Sequence, residues 1–174
     1  MSKLLGSAIV AVLAISANAD SDKIRVIILD GQNNHDWRST TPWMKKVLED
    51  SGRFRVAVSS NLKSGDKPGL ITETVPFPPD LSKCDVVLSN YNGADWPQPF
   101  QTALVDWLNS GKGNLVIVHA ANNAFPGWTE YNQMIGLGWR DSKFGLGAEP
   151  GSGAGESAGT RFFGRDRVRN RDST

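Results

Sequence analysis

A single cysteine, Cys84, and only two histidines, His35 and His119, occur among the 174 residues. One thiol excludes an internal disulfide framework and a thiolate zinc cluster built from this chain alone. Charge of one sign is not in excess: 19 Lys+Arg face 18 Asp+Glu, and Lys3 alone makes the difference. With no basic surplus the domain as a whole has no strong attraction for nucleic acid or an anionic membrane, and no nucleic-acid partner is expected. No apolar run reaches the ~20 residues of a settled membrane span. A G-x-S-x-G elbow and a P-loop are missing, and no G-x-G-x-x-G follows the first apolar run. These absences argue against a serine hydrolase, a nucleoside triphosphatase and a dinucleotide dehydrogenase. What is present is 39% hydrophobic residues, six Trp, 18 Gly and nine Pro, the composition of one globular core with many turns.

The two ends differ from the middle. Lys3, the apolar stretch Leu4 to Ile15 and the small-x-small sequence Ala17-Asn18-Ala19 read as a signal peptide over residues 1–19, which predicts export to a periplasm or beyond and no stable membrane anchor after cleavage. Residues 142–174 hold six Gly between Gly145 and Gly159, then five Arg after Thr160, with little apolar bulk. Such a stretch cannot bury enough surface to offset its ordering entropy, so a solvated tail is expected. The domain proper is placed at residues 20–141.

Within it, Ile24 to Leu29, Asp85 to Ser89 and Asn114 to Val118 are short aliphatic runs that read as buried strands of a parallel sheet. Arg53 to Ser59 alternates and reads as a strand nearer the edge. Helices are expected between them. The first would start at Thr41 as N-cap with Pro42 at the first helical position, bury Met44, Val47 and Leu48, and end at Gly52. The second would run from Pro99 to Ser110 on Phe100, Leu104, Trp107 and Leu108, and a third from Trp128 to Ile135. Trp43 and Trp107 are expected to pack their helices. Alternating strands and helices predict a doubly wound α/β sheet.

Both histidines fall where such a sheet builds its ligand crevice, just past strand carboxyl ends. His35 follows the first run through Asp30-Gly31-Gln32-Asn33-Asn34, His119 closes the last run, and Asn90-Tyr91-Asn92-Gly93-Ala94-Asp95-Trp96 follows the third. His35 and His119 are the candidate catalytic pair, as acid and base or as ligands of a divalent metal, which is the one cofactor these residues suggest. Amides and carboxylates interleaved with Trp suit a sugar, whose hydroxyls need paired donors and acceptors while its apolar face stacks on a ring. Asp36, Trp37, Asn90, Tyr91, Asn122 and Trp128 are the candidate substrate-binding residues, with a small carbohydrate as partner. The same Asn and Asp residues also suit turns, and the same Trp residues suit core packing. Cys84 precedes its strand, away from the crevice, and reads as a small buried hydrophobe.

Leu29-Asp30-Gly31 with His35-Asp36-Trp37, Cys84 to Gly93, Leu104 to Leu108, Gly113 to Ala121, then Phe125, Trp128 to Tyr131 and Ile135-Gly136, together resemble the ThuA-like (trehalose utilisation) family over residues 24–141. The resemblance implies a flavodoxin-like α/β fold of the class I glutamine amidotransferase type, helices on both faces of a parallel sheet, and a role in the use of trehalose or related keto-sugars. Those amidotransferases carry a cysteine nucleophile in the turn that is Val118-His119-Ala120 here, so amidotransferase activity is not expected. Family members continue with further strands and a His-Pro element, and Arg171 to Thr174 looks like the approach to it, so a C-terminally incomplete fold is expected. A non-catalytic carbohydrate-binding or interaction module, or an inactive fragment, are the alternatives to an enzyme.

Overall fold

The computed structural model describes residues 22–140, Thr72 excepted. The expected leader and tail lie outside the described residues. Four strands and three helices follow one another as β1 (Ile24–Asp30), α1 (Trp37–Asp50), β2 (Phe54–Ser60), β3 (Val86–Ser89), α2 (Gln98–Asn109), β4 (Asn114–Ile117) and α3 (Thr129–Ile135). Every strand pair is parallel, in the order β2-β1-β3-β4. The chain steps from β1 to β2 on one side and returns to β3 on the other. Right-handed crossovers then put α1 on one face and α2 on the opposite one. This is the order in which a flavodoxin-like sheet opens its crevice between β1 and β3.

The period-2 alternation of β1 divides the core accordingly. Val26 and Ile28 face α1, with Met44 and Leu48 packed against their cluster. Ile27 and Leu29 face the other way, into Leu104, Trp107, Phe125 and Tyr131 of α2, α3 and the segment between. Ion pairs and edge bonds frame the sheet. Lys45 Nζ donates to the Val56 carbonyl at 2.6 Å and the Val56 N–H donates to Glu49 Oε1 at 3.4 Å. Beyond them the Val75 N–H donates to the Val58 carbonyl at 2.8 Å. The outer rim of β2 is thereby covered against strand addition. Among the described residues no helix is long and apolar enough to cross a membrane.

Three expectations need correction. Helix α1 begins at Trp37 rather than Pro42: Asp36 is its N-cap, accepting from the Ser39 N–H, and Pro42 sits inside the helix. An Asp whose carboxylate reaches the third helical N–H satisfies an orphan donor, and that outweighs the one bond Pro42 removes. The earlier start rotates the buried stripe onto Trp37, Thr41, Met44 and Leu48. Val47 and Trp43 therefore lie outside it, and Trp43 is 67% exposed. Finally, β4 is not buried on both faces. Leu115 and Ile117 pack on the α2 side, whereas Val116 is 46% exposed, because α1 crosses over β1 and β2 and no described element covers β4 on that side.

Candidate functional site

The carboxyl ends of β1, β3 and β4 converge on one edge. There the imidazoles of His35 and His119 stand with ring centroids 4.4 Å apart and planes tilted by 31°, both exposed to solvent. Two loops separated by more than eighty residues of chain thus deliver the only two histidines to a single point. The backbone of His35 is pinned on both sides, its N–H to Asn33 Oδ1 at 2.9 Å and its carbonyl accepting from the Trp37 N–H at 2.8 Å. His119 has φ +46°, a left-handed backbone that a side chain with a Cβ adopts only at a cost. Its turn is held from behind: the Tyr131 hydroxyl donates to the Ala121 carbonyl, and Arg140 donates to the carbonyls of Asn122 and Ala124.

The other sequence candidates divide. Asp36 lies beside His35, and the Ser39 hydrogen bonds that make it the cap also hold its carboxyl below the usual carboxylate range. Asn122 belongs to the His119–Asn123 turn and is half-buried, its carbonyl accepting from the Trp139 N–H at 3.1 Å and from Arg140. Trp37, Tyr91 and Trp128 are buried. Trp37 packs under the Arg38 guanidinium, 4.4 Å from its ring, and over Gly69. The Tyr91 hydroxyl accepts from Asn61 Nδ2 and donates to the Ala94 carbonyl, and burial pushes it up to about 12. Trp128 stacks on Tyr131 at 5.4 Å inside the aromatic cluster. The structure gives these three rings to the core. Asn90 is buried too, with both ends of its amide engaged by protein.

Cys84 is buried at the far end of β3, and burial raises its thiol to about 11, which suits packing and not nucleophilic attack. Among the described residues no group of three or more His, Cys, Asp or Glu is placed to hold a metal. A divalent ion at the histidine pair would draw two ligands from them.

Three contributors had no clear signal in the sequence. Gln32 and Asn61 stitch the loops after β1, β2 and β3: Gln32 Nε2 donates to the Asn61 carbonyl and its Oε1 accepts from the Ala94 N–H. Gly31 makes that approach feasible, having φ +111° and leaving a Cβ only 2.6 Å from the Asn61 backbone. Arg140, buried against Asn132, Asn122 and Ala124, follows the last helix with no periodicity to mark it. A separate cavity of about 970 Å³, lined by Arg25, Arg55, Val56, Leu70 and Val75 among others, lies beside the first halves of β1 and β2, at the other end of the strands.

No protein-family model matches the chain, and no curated protein does. Among solved structures the fold is similar to the crystal structure of a ThuA-like protein from Parabacteroides merdae, with 33% identity and a TM-score of 0.59 over 70% of this chain. The similarity supports a ThuA-like assignment of the domain. Its fold is the α/β sheet expected of that family. It spans 41% of the length of the Parabacteroides protein, about two fifths.

Proposed function

We propose that this ThuA-like domain binds and transforms a small carbohydrate, trehalose or a keto-sugar derivative, at the crevice between β1, β3 and β4. The observation that carries the reading is the histidine pair, 4.4 Å apart on an open edge of a sheet whose strand ends otherwise present amides. Imidazole is the side chain suited to give and take protons near neutral pH, and two from separate loops can serve the two sides of one bond, one as base and one as acid. The family resemblance supplies the sugar. The ring that would stack on its apolar face is Trp139, 46% exposed and tied by its N–H to the Asn122 carbonyl, in place of the buried Trp37 and Trp128. Asn34, Asn92 and Asn122 would meet the hydroxyls.

Purified protein is to be assayed with trehalose and keto-disaccharides beside His35→Ala and His119→Ala, with metal analysis of each. Each variant is expected to lose about 10²–10⁴-fold in kcat/KM, the usual worth of a positioned acid or base. Equal turnover by wild type and variants would sink the assigned roles. Saturable sugar binding without turnover by the wild type would instead establish a binding module.

Export belongs to the same proposal and rests on Lys3, Leu4 to Ile15 and Ala17-Asn18-Ala19. Mass spectrometry of protein recovered from the periplasm of a bacterial host is expected to find Asp20 as the first residue. Recovery from the cytoplasm with Met1 or Ser2 at the start would rule export out.

A further inference from the structure

We propose that Asn90 is a positioning residue: its buried amide, anchored on the hydroxyls of Thr40 and Thr41, holds Asn33 and thereby sets the His35 loop where its imidazole meets His119. What the pair is for rests on the function proposed above; how it is held does not. The donors and acceptors allow one arrangement. The His35 N–H can only donate, so Asn33 must present Oδ1 to it, at 2.9 Å. Asn33 Nδ2 then faces Asn90, donating to its carbonyl at 3.1 Å and its Oδ1 at 3.2 Å. With Oδ1 turned to Asn33, Asn90 directs Nδ2 at two hydroxyls, Thr40 Oγ1 at 3.1 Å and Thr41 Oγ1 at 3.2 Å. Thr40 gives its own proton to the Asp36 carbonyl at 3.1 Å. Nearby, the buried carboxyl of Asp30 accepts from the Ser60 hydroxyl.

Donation therefore runs one way, from Asn33 through Asn90 to the threonine hydroxyls of α1, and from Thr40 on to the Asp36 carbonyl. Turning either amide over would set N–H against N–H. The same network grips both sides of His35, through Asn33 before it and through the Asp36 carbonyl after it. A buried carboxylate is costly, and burial raises the Asp30 carboxyl above its ordinary value while the Ser60 and Thr41 hydroxyls oppose that rise. Asn90 reaches from β3 into the β1 loop across the crevice, so the strand that forms the floor also fixes the height of the acid/base group above it.

The test reads the pair itself and needs no substrate. Proton NMR of the wild type is expected to show a through-space cross-peak between the two imidazoles, assigned with His119→Gln, in which it must vanish. Asn33→Ala, at a half-buried loop position that the core does not use, and Asn90→Ala are each expected to lose the cross-peak while keeping the dispersed spectrum of the folded sheet. Phe100→Leu, which loosens the core beneath α2 without breaking any of these hydrogen bonds, is expected to keep it. If Asn90→Ala fails to fold, Asn33→Ala decides alone. A cross-peak retained in Asn33→Ala, absent from the wild type, or lost equally in Phe100→Leu would overturn the proposal. Absence of sugar turnover by the wild type would strike the proposed function and leave this result standing.

Discussion

Phe125→Ala is expected to cost about 3–5 kcal/mol of unfolding free energy, the largest loss foreseen for any one side chain of the domain. Phe125 is 1% exposed and lies inside the aromatic cluster, with ring centroids 5.9 Å from Tyr91, 4.7 Å from Trp96, 5.6 Å from Trp128 and 4.9 Å from Tyr131. Stacked, tilted and edge-on rings at these separations add to simple burial, and the four neighbours come from the loop after β3 and from α3 with its N-cap, so none can collapse into the hole without moving a segment. Domains of this size are stable by only ~5–15 kcal/mol. The change therefore takes about a fifth of the stability or more. Its backbone is left-handed as well, φ +52°, and alanine does not relieve that. Urea titration of wild type and variant measures the loss, and a value under about 1.5 kcal/mol would mean that the cluster is not the core's centre.

His119→Gly is expected to separate function from stability in opposite directions. On the proposed function, turnover should fall about 10²–10⁴-fold, as for alanine, because the proposed acid/base group is gone. The fold should gain. A residue with a Cβ in the left-handed region costs about 1–2 kcal/mol, and glycine removes that cost while adding about 0.5–1 kcal/mol of chain entropy to the unfolded state. The net expectation is a variant as stable as the wild type or up to about 1 kcal/mol better. His119→Ala keeps the strained backbone and should gain nothing. Strain retained at a turn that aims a side chain into a crevice is the pattern of a working site. Parallel denaturation of the two variants checks it, and glycine proving less stable than alanine would sink the argument.

The parts of this molecule written locally were readable from the chain. Aliphatic runs at Ile24 to Leu29, Asp85 to Ser89 and Asn114 to Val118 are strands within a residue or two, since a continuous apolar stretch has few other places to go. Phe100, Leu104 and Trp107 recur at helical spacing and are buried. The convergence of His35 and His119 also followed, because strand direction alone puts both at one edge. The start of α1 was harder to read: Thr41-Pro42 carries a start signal as plain as that of Asp36 with Ser39, and the Asp36 cap together with the packing of Trp37 and Thr41 into the core decides between them.

By itself, then, the sequence determined the strands, the sheet class, the family resemblance and the edge that carries the histidines, all of which depend on patterns a few residues long. Tertiary structure decided which polar and aromatic groups face that edge. Trp37, Tyr91 and Trp128 went inward and Trp139 outward, Asn90 became a brace for Asn33, and Arg140 closed on the turn behind His119. The hydrogen bonds of Asn90 with Asn33 and Thr41, and of Arg140 and Tyr131 behind the His119 turn, reach partners 8 to 57 residues away in the chain. Burial of a ring or amide is settled by what other elements bring to it, and no local pattern carries that information.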